Sequence, residues 1–474
     1  MLSTSNLPIR NPGSFRDPAG YVFDDGEAIW RSINADALAR FQSLWGCGVV
    51  QKLVDRGLII QTEFVSPDAE ALEKLRGPRG ELPVGLLRHP RVPFFSYPYE
   101  WCFSQLKDAA LAHLDLQIAA LELDVSLVDA TPYNMQPVDG RMCHVDILSL
   151  RPYSDGEMWA GYNQFCRLFL LPLLIEAWSG VPFQPLLRGS LDGIPLGDAA
   201  RLLPASKRWL TLNGILHVSL HAQQERAHAR NRTREIKTPP KMPRTRYAAM
   251  LNELRNWVSG LRSSRTPSFW HDYAVANTYR DTDRRIKREF IGRFVHENQP
   301  KTIWDLGGNS GDYSVTALDA GVKHAVVLDS DLDALEIAYK TSQTTHPNLL
   351  PLVMDCSDPS PARGWNQQER AGLLERRHAD AVLALALVHH LVIGRNVPLR
   401  SFVEWLMSLA PCGVVEFVPK QDPMVARMLS IREDVFVDYD EQHFMDYLTA
   451  AAEIQHTEGL TNGGRTIIAY RRRV

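Results

Sequence analysis

The sequence predicts an α/β protein of two folded parts: an N-terminal α+β module over 1–222 and a C-terminal, open Rossmann-like sheet over 247–474, joined by a basic linker over 223–246. Three observations carry this. From residue 302 onward, short apolar runs alternate with helix-patterned segments, the rhythm of βαβ units in a parallel sheet. The first of these runs ends in a glycine-rich turn that opens a helix, the usual place for a ligand loop in an open α/β sheet. Between Gln223 and Arg246, the stretch QQERAHARNRTREIKTPPKMPRTR is rich in Arg and Lys, holds three prolines and has no apolar periodicity, so it reads as a solvated tether.

Composition bounds the partners. The 474 residues are 45% hydrophobic and 23% charged, enough for two or three ordinary domains with a large core. A formal net charge of −3 argues against binding nucleic acid through overall charge. Cys47, Cys102, Cys143, Cys166, Cys356 and Cys412 lie far apart, with no CxxC pair, so they read as reduced, mostly buried thiols and no metal site is expected. The first twenty residues lack a signal peptide's apolar core. The longest apolar run, 168–175, is too short to span a bilayer and contains Pro172, so a cytoplasmic protein with no membrane span is expected.

In the C-terminal part, RRIKREFIGRFVHE reads as a helix and TIWDLGG as the first strand. YSVTALDAG follows as a helix, then HAVVLDSD, LLPLVMD, ADAVLALALVHHL and CGVVEFVPK as successive strands, with two more around 454–457 and 466–470. The chemistry is expected at the carboxyl ends of these strands. Asp305-Leu306-Gly307-Gly308-Asn309-Ser310-Gly311 follows the first strand, and glycines at 307, 308 and 311 let backbone approach a ligand where any Cβ would collide. Asp329 and Asp355 end the next two strands. A dinucleotide fingerprint aligned on Gly308 and Gly311 would need glycine where the chain has Leu306, and an acid at 305 suits a cationic ligand better than a pyrophosphate.

The strand order and glycine loop resemble those of class I S-adenosylmethionine (SAM)-dependent methyltransferases, whose sheet ends in a reversed hairpin strand. The resemblance implies that the 307–311 loop, with Asn309, cradles the methionyl part of SAM, that Asp305 lies near its ammonium, that Asp329 takes the ribose hydroxyls, and that Asp355 faces the adenine amino group. The fourth strand is expected to end in Leu387-Val388-His389-His390-Leu391 on the acceptor side, where His389 or His390 would take a proton from the acceptor. Glu416, ending the fifth strand, reads as a weaker candidate that solvation alone would explain. Ahead of the glycine loop lies an aromatic and polar cluster around Phe269, Tyr273, Asn277, Tyr279 and Lys287. Tyr279 is taken as a cofactor contact from a lid, although aromatics so spaced more often pack.

One stretch of the N-terminal part resembles the phosphoryl-transfer loop of protein kinases and aminoglycoside phosphotransferases. Asp129 precedes Asn134 by five residues, and His144-Val145-Asp146 follows after the turn VDGR. That spacing implies a catalytic acid, a metal-binding amide and a later acid on a strand. Residues 106–123 read as a long apolar helix, and FRDPAGYVFDDGEAIWRSI as a hairpin with Arg31 where a kinase uses lysine. No His-Arg precedes Asp129, and no glycine-rich nucleotide loop is found. The expectation is therefore a kinase-like fold serving as a substrate or partner module.

The segments FSYPYEWCFSQLKDAAL, DATPYNMQPVDGRMCHVDILSLRPY, LDGIPL, WDLGGNSGDYS and LALVHHLVIGRNVPL resemble a bacterial family of SAM-dependent methyltransferases, some described as NoeA-like nodulation proteins, over most of the chain from Phe15. The resemblance implies SAM as cofactor and methyl transfer to an unidentified acceptor, a small molecule or saccharide being favoured over nucleic acid. The alternatives are a phosphotransferase or bifunctional enzyme built on the N-terminal module, and a non-catalytic SAM- or nucleotide-binding protein.

Overall fold

The structure, a computed structural model, describes residues 8–66, 69–78, 80–223, 241–266, 281–376, 379–461 and 464–473. Most of the expected linker and the aromatic cluster with Tyr279 lie outside these residues. The chain divides into two compact units, neither of them continuous in sequence: unit 1 is 1–92, 97–266 and 364–370, and unit 2 is the remainder.

In unit 1, five antiparallel strands run in the order β1-β2-β3-β5-β4: β1 Ile9–Arg10, β2 Val22–Asp24, β3 Ala28–Ile33, β4 Glu63–Val65 and β5 Gly85–Pro90. β2 and β3 form the expected hairpin. Helix α1 (Ala35–Gly46), capped by Asn34, drives Ala37, Phe41 and Leu44 into a core shared with Leu87 of β5. Helix α2 (Phe103–Glu122) is apolar on nearly all sides and buried accordingly. After α2 come β6 (Val125–Leu127), the hairpin β7 (Met135–Val138) and β8 (Arg141–His144), and β9 (Leu150–Pro152). The hairpin turns on Asp139 and Gly140, both at positive φ, as a two-residue turn with matching twist requires. Helix α3 (Arg244–Gly260) packs on α2 through Tyr247, Leu251, Leu254 and Val258, and Arg255 is bound to Asp115. This corrects the expected boundary. Residues 244–246 are helix rather than tether, and 247–266 belong to unit 1 rather than to the C-terminal domain.

Unit 2 is a seven-stranded sheet in the order β12-β11-β10-β13-β14-β16-β15. Its strands are β10 Thr302–Leu306, β11 His324–Asp329, β12 Leu349–Val353, β13 Ala381–Ala384, β14 Cys412–Phe417, β15 Ala452–Gly459 and β16 Thr466–Arg472. β10 to β14 are parallel, and β16 runs antiparallel to both β14 and β15. The parallel strands are apolar because helices cover both faces; β13 and β14 are buried throughout. The covering helices include α4 (Asp281–Asn298), α5 (Asp312–Asp319), α6 (Leu332–Thr344), α7 (Val388–Arg395) and α8 (Leu399–Leu409). The chain leaves β10 toward β11 and β12 and later returns to β13 and β14. The order therefore reverses between β10 and β13, and a crevice opens there at the carboxyl ends. Among the described residues, no helix is long and apolar enough to cross a membrane.

Candidate functional site

The first βα turn of unit 2 is built by backbone demands. Gly307 and Gly311 hold φ of 69° and 81°, and Asn309 a φ of 49°. A Cβ on Gly308 would sit 2.7 Å from the carboxyl carbon of Asp305 and 2.9 Å from Val327, so only glycine fits between β10 and β11. Asp305 is 1% exposed and accepts a 2.8 Å hydrogen bond from Ser314 Oγ. Burial, aided by Asp329 and Asp312, pushes its carboxyl up to about 7. Asp329 accepts bonds from the Asn309 and Asp331 amides, each 2.8 Å, and burial raises it as well. Asp355 is held by Arg395 of α7 at 2.8 Å and by the Ser357 amide and hydroxyl.

These residues line one cavity of about 480 Å³ at the switch point. It takes in Asp305, Gly307, Gly308, Asn309, Asp329 and Asp355 together with His389 and His390, so the candidates on described residues converge, apart from Gly311. Gly311 is buried beside Val327 and serves the turn from behind. A row of carboxylates at three neighbouring strand ends, one of them kept partly protonated by burial, suits a ligand with a cationic group and vicinal hydroxyls.

The histidines are not at a strand end, as expected, but in the first turn of α7. β13 stops at Ala384, Ala386 takes a φ of 50°, and Leu387 caps the helix by accepting from the His390 amide at 3.0 Å. A left-handed residue cannot continue a strand, and it turns the pair into the cavity wall. His389 is 2% exposed and its Nδ1 has no hydrogen-bond partner. Burial, then His390, Arg465 and Lys287, hold it well below the ordinary imidazole range, so it is a neutral base at pH 7. Burial and Arg465 lower His390 too, and the two rings are 4.1 Å apart.

Glu416 is not a solvated strand end. It is fully buried and pairs with Lys287 at 2.7 Å and with Arg465 at 3.2 Å, while Arg465 also binds buried Asp422 at 2.7 Å. Lys287 and Arg465 reach the cavity wall. Arg465 and Asp422 went unread in the sequence. The available signal was Glu416 itself, a charge inside the apolar run VVEFV, which requires a cation from elsewhere.

In unit 1, Arg31 on β3 bridges Asp17 and Asp146, and Asn134 Nδ2 lies 3.5 Å from Asp146. Burial opposes ionisation of Asp146, but Arg31 outweighs it and holds the carboxyl low; Asp129 is raised by burial and by Asp146 and Asp17. Among the described residues, no group of three or more His, Cys, Asp or Glu could hold a metal ion.

The sheet order and its switch-point cavity define unit 2 as an α/β domain with the strand arrangement expected of class I methyltransferases. No family model matches the chain. Nodulation protein NoeA of Rhizobium meliloti (strain 1021) is 38% identical over 479 residues, covering 100% of this chain and 98% of that protein, and the chain belongs to the NoeA family. Among solved structures, the N-methyltransferase NodS from Bradyrhizobium japonicum WM9 in complex with S-adenosyl-L-homocysteine is 12% identical, covering 44% of this chain and 100% of its own, at a TM-score of 0.32. Protein PH0226 of Pyrococcus horikoshii OT3 is 15% identical over 44% of this chain and 100% of its own, at 0.31.

Proposed function

We propose that the protein is a SAM-dependent methyltransferase whose donor lies over the 307–311 turn. The observation that carries this is the shared cavity: Asp305, Asp329 and Asp355 at successive strand ends, the glycine turn below, and the neutral His389 opposite. Bound SAM supplies an electrophilic methyl group on a sulfonium. Asp305 would meet the donor's ammonium and recover its charge, Asp329 would accept from the ribose hydroxyls, and Asp355 would face the adenine. Methyl transfer is an in-line displacement that mainly needs positioning. His389, or His390 beside it, would take the acceptor's proton as the methyl group is transferred. A small molecule or saccharide acceptor fits a 480 Å³ cavity better than a duplex nucleic acid.

Calorimetric titration with SAM and S-adenosylhomocysteine tests the reading. Saturable binding that Asp305→Ala and Asp329→Ala each weaken is expected; a folded protein that binds neither ligand would sink it.

For unit 1 we favour a kinase-like fold used as a substrate or partner module. The antiparallel sheet with Arg31 on β3, and the approach of Asn134 to Asp146, support the fold. The engagement of Asp146 by Arg31 speaks against phosphoryl transfer, because the acid a metal would need is already neutralised. Saturable heat with ATP–Mg²⁺, abolished by Asp146→Ala, would reverse that judgement.

A further inference from the structure

Unit 1 holds a second concavity that the methyl-transfer reading does not use. It is an open groove of about 580 Å³ lined by Trp178, Lys207, Thr211, Leu212, Asn213, Glu253 and Trp257. Its walls come from three places. Glu253 and Trp257 stand one helical turn apart on α3 and so share a face. Trp178 is at the end of the helix Leu171–Ser179. The rest lie on the helix Ala205–Leu210 and the turn after it, which Gly214 keeps tight: a Cβ there would stand 2.4 Å from the Lys207 carbonyl oxygen.

The two indoles are 6.0 Å apart at 45°, both part-exposed. Behind Trp257 lies His217, with ring centroids 5.7 Å apart, and His217 is bonded through Nδ1 to the Tyr162 hydroxyl at 2.6 Å. His217 sits on a π-helical turn, Ile215–Leu220, and a second such turn, Cys166–Leu170, begins four residues after Tyr162. π-Helical turns are rare and concentrate at functional sites. The pair fixes the histidine against the indole and so fixes the indole at the groove.

We propose that this groove is a binding site for an uncharged saccharide, a pyranose ring stacking its apolar C–H face on Trp257 while Asn213, Glu253 and Lys207, whose ammonium lies over the Trp178 ring, take its hydroxyls. The lining chooses the class. Indoles provide flat apolar faces at low conformational cost. An aromatic-lined groove would also suit a proline-rich peptide, but the Glu253 carboxylate needs a donor, which a sugar hydroxyl supplies and a peptide without free N–H groups does not. One lysine and one glutamate cancel, so no net charge selects an ionic ligand. The site is independent of the donor cavity, since every residue in it belongs to unit 1.

The test is calorimetric titration of the full chain with cellohexaose and chitohexaose, whose equatorial rings present C–H faces, beside maltohexaose and a proline decapeptide. Saturable binding of at least one hexasaccharide is expected, weakened about tenfold or more, that is by roughly 1.4 kcal/mol or more, in Trp257→Ala and in Glu253→Ala. Trp257→Ala also removes the indole packed against His217, so the exposed Glu253→Ala decides, its melting temperature matching wild type. Absence of saturable binding by any of the sugars, sugar binding unchanged in Glu253→Ala, or binding of the peptide alone would each overturn the proposal. S-adenosylhomocysteine binding stays as in wild type in both variants.

Discussion

Replacing Asp305 with asparagine is expected to stabilise the ligand-free protein while removing its affinity for SAM. The carboxyl is 1% exposed and titrates near 7 rather than at its ordinary 3.8, chiefly through burial. A folded-state value above the unfolded one means that stability is complete below about pH 4 and is lost as pH rises toward 7, because the unfolded chain ionises first. A shift of about 3 units at 1.36 kcal/mol each corresponds to roughly 4 kcal/mol, an upper bound that relaxation around the site will reduce to about 2–4 kcal/mol. Asparagine carries no such charge and can still accept the Ser314 hydrogen bond through its carbonyl. Urea unfolding of both proteins from pH 4 to 8 should therefore give curves that nearly coincide at pH 4, diverge through pH 5–7 and run parallel above. Saturating S-adenosylhomocysteine should then stabilise the wild type at pH 8 and leave Asp305→Asn unmoved. A stability difference that does not depend on pH, or an asparagine variant less stable at pH 8, would refute the assignment of strain to this carboxylate.

Gly308→Ala should weaken S-adenosylhomocysteine binding at least tenfold and cost about 1–3 kcal/mol of stability, since its methyl group meets Asp305 and Val327 inside contact distance; calorimetry and urea unfolding measure the two effects. Glu416→Gln removes the buried carboxylate that Lys287 and Arg465 share and should cost about 3–5 kcal/mol in urea unfolding. The pair Lys287→Met with Glu416→Leu should cost less than the sum of its parts by more than about 1 kcal/mol. In unit 1, Arg31→Met leaves Asp17 and Asp146 without the cation between them and should lower the melting temperature at pH 7, with part of the loss recovered in the double variant with Asp146→Asn.

The parallel strands were legible because each is a short apolar run, β10, β11 and β12 being closed by glycine or an acid, and burial on both faces leaves no other pattern for them. The cofactor-side residues were legible for the same reason: Asp305, Asp329 and Asp355 stand where such runs end. The histidines were read as part of a strand because Leu383 to Leu391 is continuously apolar apart from them, and nothing local announces the left-handed turn at Ala386. The Lys287–Glu416–Arg465 network was not legible as a network, since its partners are 129 and 49 residues apart and charge pairing leaves no periodic trace. The start of α3 was masked differently. Arg244, Thr245 and Arg246 continue the basic composition of the preceding stretch, and only the spacing of Tyr247, Leu251, Leu254 and Val258 marks a helix.

The placement of β16 between β14 and β15 bears on how unit 2 is made. β14 carries Val414, Val415 and Phe417, all fully buried in the finished sheet, and on one side its backbone pairs with residues 466–471. During synthesis this strand therefore waits, with an open and apolar edge, while about fifty further residues are added; at 5–20 residues per second that is several seconds of exposure. An unpaired edge of this kind templates association with other chains. Truncation or slowed translation between Phe417 and Thr466 should thus produce aggregation rather than a smaller folded domain, and charge reversals on the solvent side of β15 should leave that window unchanged.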